Sequence, residues 1–161
     1  MNKELQTEGL KKYKNGGRIE VYKTVDRTVN DFDKKFDSCN YFAKQGKKTV
    51  MTPKVHHKDP AYKEIYSSLI GTKYEGKCPD FKIEDDFYEH EGFDVSKNTN
   101  PTRTFSNMIS RGISQSNRIV IDDNNIGRVW AQRNIYNRVK NGQDINEVWI
   151  LENSGTLTRI F

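Results

Sequence analysis

The chain is short of the residues that would classify it quickly. Its 161 residues hold only 2 cysteines and 3 histidines, with no finger-like spacing among them, which rules out a disulfide framework or a structural zinc scaffold. Cys39 and Cys78 read instead as idle or buried thiols of a cytosolic protein. No apolar run approaches the ~18 residues of a membrane span. Met1-Asn2-Lys3-Glu4-Leu5 has no apolar core of a secretory signal, so the expected location is cytoplasmic, with no membrane partner. Apolar residues make up 34% of the chain and the mean hydropathy is -0.91, low for a folded protein. Disorder is nonetheless excluded by 8 Phe, 8 Tyr and 2 Trp, which supply the buriable area. There is no repeat, low-complexity tract or long linker, so a single domain over residues 1–161 is expected.

Charge is present in excess of one sign. Lys and Arg number 27 against 22 Asp and Glu, a net +5, which favours an anionic partner such as DNA or RNA. Arg103, Arg111, Arg118, Arg128, Arg133, Arg138 and Lys140 crowd into one stretch, while the span from Asp59 to Asp94 is the acidic region. A basic flank beside an acidic pocket suits a polyanion held near a metal.

The hydrophobic pattern predicts alternating elements. Residues 1–16 read as a frayed helix ending at Asn15-Gly16-Gly17, followed by a strand over Arg18–Lys23. Asn30 opens a helix to about Lys44, striped by Phe32, Phe36, Cys39 and Phe42. A strand over Lys48–Met51 stops at Pro53, and Asp59-Pro60 starts a helix with Tyr62, Ile65, Tyr66, Leu69 and Ile70 on one face. Phe81–Ile83 and Phe87–Glu91 read as paired strands, with Asp85-Asp86 near the turn. Asn100-Pro101 begins a helix carrying Phe105, Met108, Ile109, Gly112 and Ile113, and Arg118–Asp122 is a strand. A last helix over Ile126–Lys140 has Val129, Trp130, Tyr136 and Val139 as expected anchors. Glu147–Leu151 and Thr156–Phe161 then form a hairpin across Asn153-Ser154-Gly155. The order implies an α/β fold, a mixed sheet with helices on both faces.

Side chains alternate across a strand, so Glu89 and Glu91 share one face and Tyr88 and His90 the other. Asp80 opens the neighbouring strand. Three carboxylates at one place repel unless a cation sits among them, and oxygen-only donors favour magnesium, manganese or calcium. Magnesium there would generate hydroxide and stabilise charge on a phosphodiester. The plain alternative is a solvated acidic hairpin. His56-His57, adjacent on an extended segment, are expected to point to opposite sides, which is poor chelating geometry. Trp130 and Trp149 are expected to pack in the core rather than stack bases, and Glu64 to lie on the surface.

From roughly Asn30 to Asp122 the chain resembles the PD-(D/E)xK, or restriction-endonuclease-like, nuclease core of helix, three strands, helix and strand. Residues 123–161 would be a C-terminal extension of helix and hairpin. Within that family it is most similar to the C-terminal nuclease domains of bacterial contact-dependent growth-inhibition toxins. The matching segments are Pro79-Asp80-Phe81-Lys82-Ile83, Tyr88-Glu89-His90-Glu91, Asn98-Thr99-Asn100, Gln115-Ser116 and Arg118-Ile119-Val120-Ile121-Asp122. The resemblance implies a hydrolase in which Asp80 and Glu89 ligate Mg2+ or Mn2+, with a cognate inhibitor protein as partner. The family's lysine falls on Glu91, which would add a metal ligand or orient water. Lys82, Lys97 and Arg103 are the nearest cations in sequence to replace it, with Lys97, Arg103 and Gln115 facing the substrate. Two alternatives stay open: a catalytically inactive nuclease-fold module that binds nucleic acid or protein, and a metal-free ribonuclease of the barnase or RelE class using His90.

Overall fold

The structure, a computed structural model, describes residues 2–92, 100–123 and 125–161. They form eight strands and four α-helices, the mixed α/β composition that the alternating pattern implies. The chain divides into two compact units, Met1–Phe87 and Tyr88–Phe161.

The first unit is built on β1 (Thr7–Lys12), β2 (Arg18–Tyr22), β3 (Lys48–Met51) and β4 (Phe81–Ile83), side by side in that order. β1 and β2 are an antiparallel hairpin, β2 and β3 run parallel, and β3 and β4 are antiparallel. The N-terminal helix expected over residues 1–16 is not there. Lys3–Leu5 make one 3-10 turn, and Thr7–Lys12 pair with Arg18–Tyr22 across the Asn15-Gly16-Gly17 turn. The ladder hydrogen bonds to β2 outweigh the weak helix propensity of a segment containing Gly9.

Helices cover both faces of this unit. α1 (Phe32–Lys44) buries Cys39, Phe42 and Ala43. It lies over the face carrying Ile19, Val21, Thr49 and Met51, which the register of β2 and β3 aligns. α2 (Pro60–Ile65) is capped by Asp59, whose side chain accepts from the Ala61 amide at 2.9 Å, with Pro60 at the first helical position. The periodic run does not stay helical to Ile70: a 3-10 turn over Ser67–Leu69 replaces the last α-turn, and Ile70 is left exposed. Tyr62, Ile65, Tyr66, Leu69, Tyr74 and Phe87 form a second core there, joined by Tyr22.

Cys39 is wholly buried, and burial pushes its thiol up from 9.0 to about 12. Below pH 9 both folded and unfolded chains hold the neutral thiol. Above it the unfolded chain ionises first, so folding stability falls as pH rises towards 12. Lys35, also raised, loses its contribution in the same direction above 10.5. Three pH units correspond to a loss of about 4 kcal/mol from Cys39. Urea denaturation between pH 8 and pH 11 should therefore show a steep alkaline decline, and a clearly shallower one in Cys39→Ala. Parallel declines in the two proteins would refute the assignment.

β5 (Asp86–Glu91) carries the chain into the second unit, with β6 (Arg118–Asp122), β7 (Glu147–Leu151) and β8 (Leu157–Arg159). β5, β6 and β7 are parallel neighbours, and β8 closes an antiparallel hairpin with β7. α3 (Pro101–Ile113) is capped by Asn100, whose side chain accepts from the Arg103 amide at 3.2 Å. Phe105, Met108 and Ile109 pack with Ile119, Ile121, Val148 and Ile150, and α4 (Arg128–Lys140) adds Ala131 and Ile135 to the same core. The expected anchors of α4 need correction. Val129 is 64% and Tyr136 57% exposed, while Ala131 and Ile135 are fully buried. The helix starts two residues later than expected and its apolar content is spread around the axis, so the small Ala131 lies at the contact. Trp130 packs edge to face with Phe105 at 5.2 Å, against the core as expected.

Candidate functional site

In the first unit, the Pro79-Asp80 step is held by two hydrogen bonds from Thr52. The Thr52 amide donates to the Asp80 carbonyl at 3.0 Å, and Thr52 Oγ1 donates to the Pro79 carbonyl at 2.6 Å. Tyr66 Oη, just past the end of α2, donates to the Pro53 carbonyl at 2.6 Å and so anchors the segment after β3. Asp80 enters β4 with only 6% of its surface exposed. A carboxylate so buried needs compensation. Two ammonium groups supply it, Lys35 Nζ from α1 at 3.1 Å and Lys54 Nζ from the segment after β3 at 3.2 Å, both to Oδ1.

The two lysines differ. The Lys35 side chain is 15% exposed and also meets Asp31 at 3.3 Å. Burial pulls its pKa down, but Asp80 and Asp31 beside it more than reverse that, and the ammonium is held above its ordinary value. Lys54 is 66% exposed and also donates to the Cys78 carbonyl at 2.6 Å. The three groups line a pocket of about 100 Å³ with Val25, Phe32, Met51 and Pro53. The Asp80 carboxylate thus holds both ammonium groups at one oxygen. Lys54 then presents a fixed cation at the pocket mouth.

Lys82 stands apart from this group. It lines a separate pocket of about 320 Å³ with Arg18, Tyr22, Lys48, Val50 and Glu64, and its ammonium lies 5.3 Å from the centre of the Phe87 ring. Glu64 is exposed, as its place off the apolar stripe implies. His56 and His57 do not diverge. A turn at His57-Lys58, with the Lys58 amide donating to His56 Nδ1 at 3.2 Å, stacks the rings 4.4 Å apart. The expectation assumed extended backbone, and the turn removes that premise.

In the second unit Glu89 and Glu91 occupy one face of β5, opposite Ile119 and Ile121. Glu89 is 7% exposed. Glu91 lies under the end of α3: a Cβ on Gly112 would come within 3.1 Å of Glu91 Cγ and 3.3 Å of Ile119 Cδ1. Arg111 Nη2 stands 4.0 Å from Glu91 Oε2. On the opposite face His90 Nε2 meets Asp122 Oδ1 at 3.0 Å, with the imidazole 1% exposed. Farther along, Glu147 accepts from Arg118 Nε at 2.8 Å and from Tyr88 Oη and Trp149 Nε1 at 3.0 Å, which locks the start of the parallel strands. Trp149 is therefore tied into a polar ladder rather than the apolar core, with Arg159 over its ring at 5.7 Å. Arg103 is exposed on the first turn of α3, and Gln115 is half-buried just past its end, its amide donating to the Gly112 carbonyl at 2.9 Å. Lys97 lies outside the described residues.

Asp80, Glu89 and Glu91 are hard oxygen donors suited in kind to magnesium or manganese. Among the described residues, however, no group of three or more His, Cys, Asp or Glu could hold a metal ion. At Asp80 Oδ1 two ammonium groups stand where a cation would.

Lys35 and Lys54 are the candidate site residues the sequence did not announce. Lys35 flanks the apolar stripe of α1, and Lys54 follows Pro53. Neither carries a motif, and only the fold brings them to Asp80.

No protein-family model matches the chain, and no curated protein matches it significantly. Among solved structures it is similar to a chain of the CdiA-CT/CdiI toxin and immunity complex from Burkholderia pseudomallei. The two are 19% identical with a TM-score of 0.50, over 83% of this chain and 86% of that one. At that identity the likeness is one of fold, and it places this mixed α/β arrangement beside that of a toxin–immunity pair.

Proposed function

We propose that the chain is a toxin-type nuclease domain that hydrolyses phosphodiester bonds of DNA or RNA, with Asp80, Lys35 and Lys54 at its site. The observation that supports this best is the buried Asp80 carboxylate of a Pro-Asp step, holding one half-buried and one solvent-facing lysine at a pocket. With Glu91 in the position of the family's lysine, the cation that offsets transition-state charge comes from Lys54 instead, while Asp80 keeps both ammonium groups oriented. The likeness in fold to a toxin–immunity pair favours a cognate inhibitor protein as a second partner. The metal requirement is a separate proposal: Mg2+ or Mn2+, with Glu89 and Glu91 on one face of β5 as the candidate ligands. No helix among the described residues is long and apolar enough to cross a membrane.

The test is cleavage of labelled single- and double-stranded DNA and RNA with magnesium, with manganese and with EDTA. Turnover lost in Lys54→Ala and partly restored in Lys54→Arg supports the assignment. Turnover unaffected by either change refutes it. Salt-sensitive binding with no turnover under any condition would identify the inactive binding module instead. Glu89→Gln separates the metal proposal: it should abolish any stimulation by magnesium, and an unchanged metal response would remove Glu89 from the ligand set. The metal-free reading through His90 gains nothing from the fold, because a general base must reach its substrate and this imidazole is buried against Asp122.

A further inference from the structure

α4 carries four cations, Arg128, Arg133, Arg138 and Lys140, and no carboxylate. Two of the cations are spent on the fold. Arg128 pairs with Glu152, and Arg138 donates to the Ser106 carbonyl at 2.7 Å and to Ser106 Oγ at 2.8 Å, tying α4 to α3. Arg133 and Lys140 are exposed and form no ion pair among the described residues. They alternate with the two most exposed large apolar side chains of the described protein, Val129 and Tyr136. Positions 129, 133, 136 and 140 are spaced by four, three and four residues, so all four lie on one stripe of the helix. Phe161 meets the Tyr136 ring edge to face at 5.4 Å and braces it.

We infer that this stripe of α4 is a docking track for single-stranded nucleic acid, with a base stacked on Tyr136 and flanking phosphates held by Arg133 and Lys140. The inference rests on the nuclease reading for its ligand class but uses none of the residues placed at the Asp80 pocket. A braced, solvent-facing tyrosine offers a π-face to any unpaired base, which a duplex keeps hidden in its stack. The absence of any carboxylate on the helix leaves the phosphates unopposed. A protein partner would want a continuous apolar patch, whereas here Arg133 separates Val129 from Tyr136.

The experiment measures fluorescence anisotropy of fluorescein-labelled twelve-nucleotide oligo-dT and oligo-U, and of a duplex of equal length, in EDTA across a salt series. Single strands should bind more tightly than the duplex. Tyr136→Ala should weaken single-strand binding about tenfold, and Tyr136→Phe should retain it. Arg133→Gln with Lys140→Gln should flatten the slope of log affinity against log salt by about 1.4, for two phosphate contacts on a single strand. All positions are exposed, so circular dichroism should show each variant folded. Single-strand affinity indifferent to Tyr136→Ala, or an unchanged salt slope in the double variant, overturns the inference and leaves the stripe to an acidic protein surface. Binding that depends on Tyr136 in a protein that never cleaves would sink the nuclease reading alone. Cleavage that persists with no role for α4 would sink this inference alone.

Discussion

Under the proposed function, replacing Asp80 with alanine should lower phosphodiester cleavage by about a hundredfold or more, the scale of losing a preorganised charged contact at a reacting phosphate. The change acts through both lysines. Lys54, 66% exposed, loses the carboxylate that fixes it and is left with the Cys78 carbonyl. Lys35, 15% exposed, keeps only Asp31 at 3.3 Å, and burial then draws its pKa down. Removing one partner of a buried ion pair also costs about 3 kcal/mol of stability, because the remaining charge is left in a poor solvent. The two effects separate in a double variant. Asp80→Ala with Lys35→Met removes the stranded ammonium and should recover much of the lost melting temperature, yet cleavage should stay low because Lys54 remains untethered. Full recovery of cleavage in the double variant would mean that Asp80 serves the fold and not the chemistry. Wild-type turnover in Asp80→Ala itself would remove Asp80 from the site.

The elements that were legible in the sequence are those whose pattern is local. α3 announces itself by Asn100-Pro101 and by Phe105, Met108, Ile109 and Gly112 on one face, and the structure buries those four. β6 and β7 read as apolar runs because both are inner strands, β6 between parallel neighbours and β7 between β6 and the antiparallel β8. The N-terminal strand was not legible, since its burial pattern is almost wholly exposed and its identity comes from hydrogen bonds to β2. Tyr136 and Val129 are exposed against expectation because an amphipathic pattern assumes one stripe, and α4 is apolar on more than one side. At the candidate site Asp80 was legible as half of a motif. Lys35 and Lys54 were not, because they lie 45 and 26 residues from it in sequence and a motif records only neighbours.

Gly17→Ala should be the most damaging single methyl group that can be added to the chain. Gly17 ends the turn between β1 and β2, where Asn15 Oδ1 accepts its amide at 3.1 Å and its carbonyl accepts from the Tyr13 amide at 2.7 Å. The turn is seated on the end of α1, with Asn15 Nδ2 donating to the Lys44 carbonyl at 2.9 Å. A Cβ on Gly17 would overlap the Ala43 carbonyl oxygen, lie 2.7 Å from its carbon and stand 3.1 Å from the Gly46 Cα. All three are backbone atoms, so no rotamer change relieves the clash. Either the hairpin lifts from α1 or the last turn of α1 unwinds. Both expose Ile19 and Cys39, so the expected cost is about 3–5 kcal/mol, at the upper end for a point substitution. For a chain of this length that is a fall in melting temperature of roughly 10 °C. Gly9→Ala in β1 is the matched control: nothing lies within 4 Å of a Cβ there, and its melting temperature should stay within about 1 °C of the parent. If the two variants melt together, α1 does not press on the turn, and the floor of the Asp80 pocket, which α1 supplies through Phe32 and Lys35, is not held in the way described.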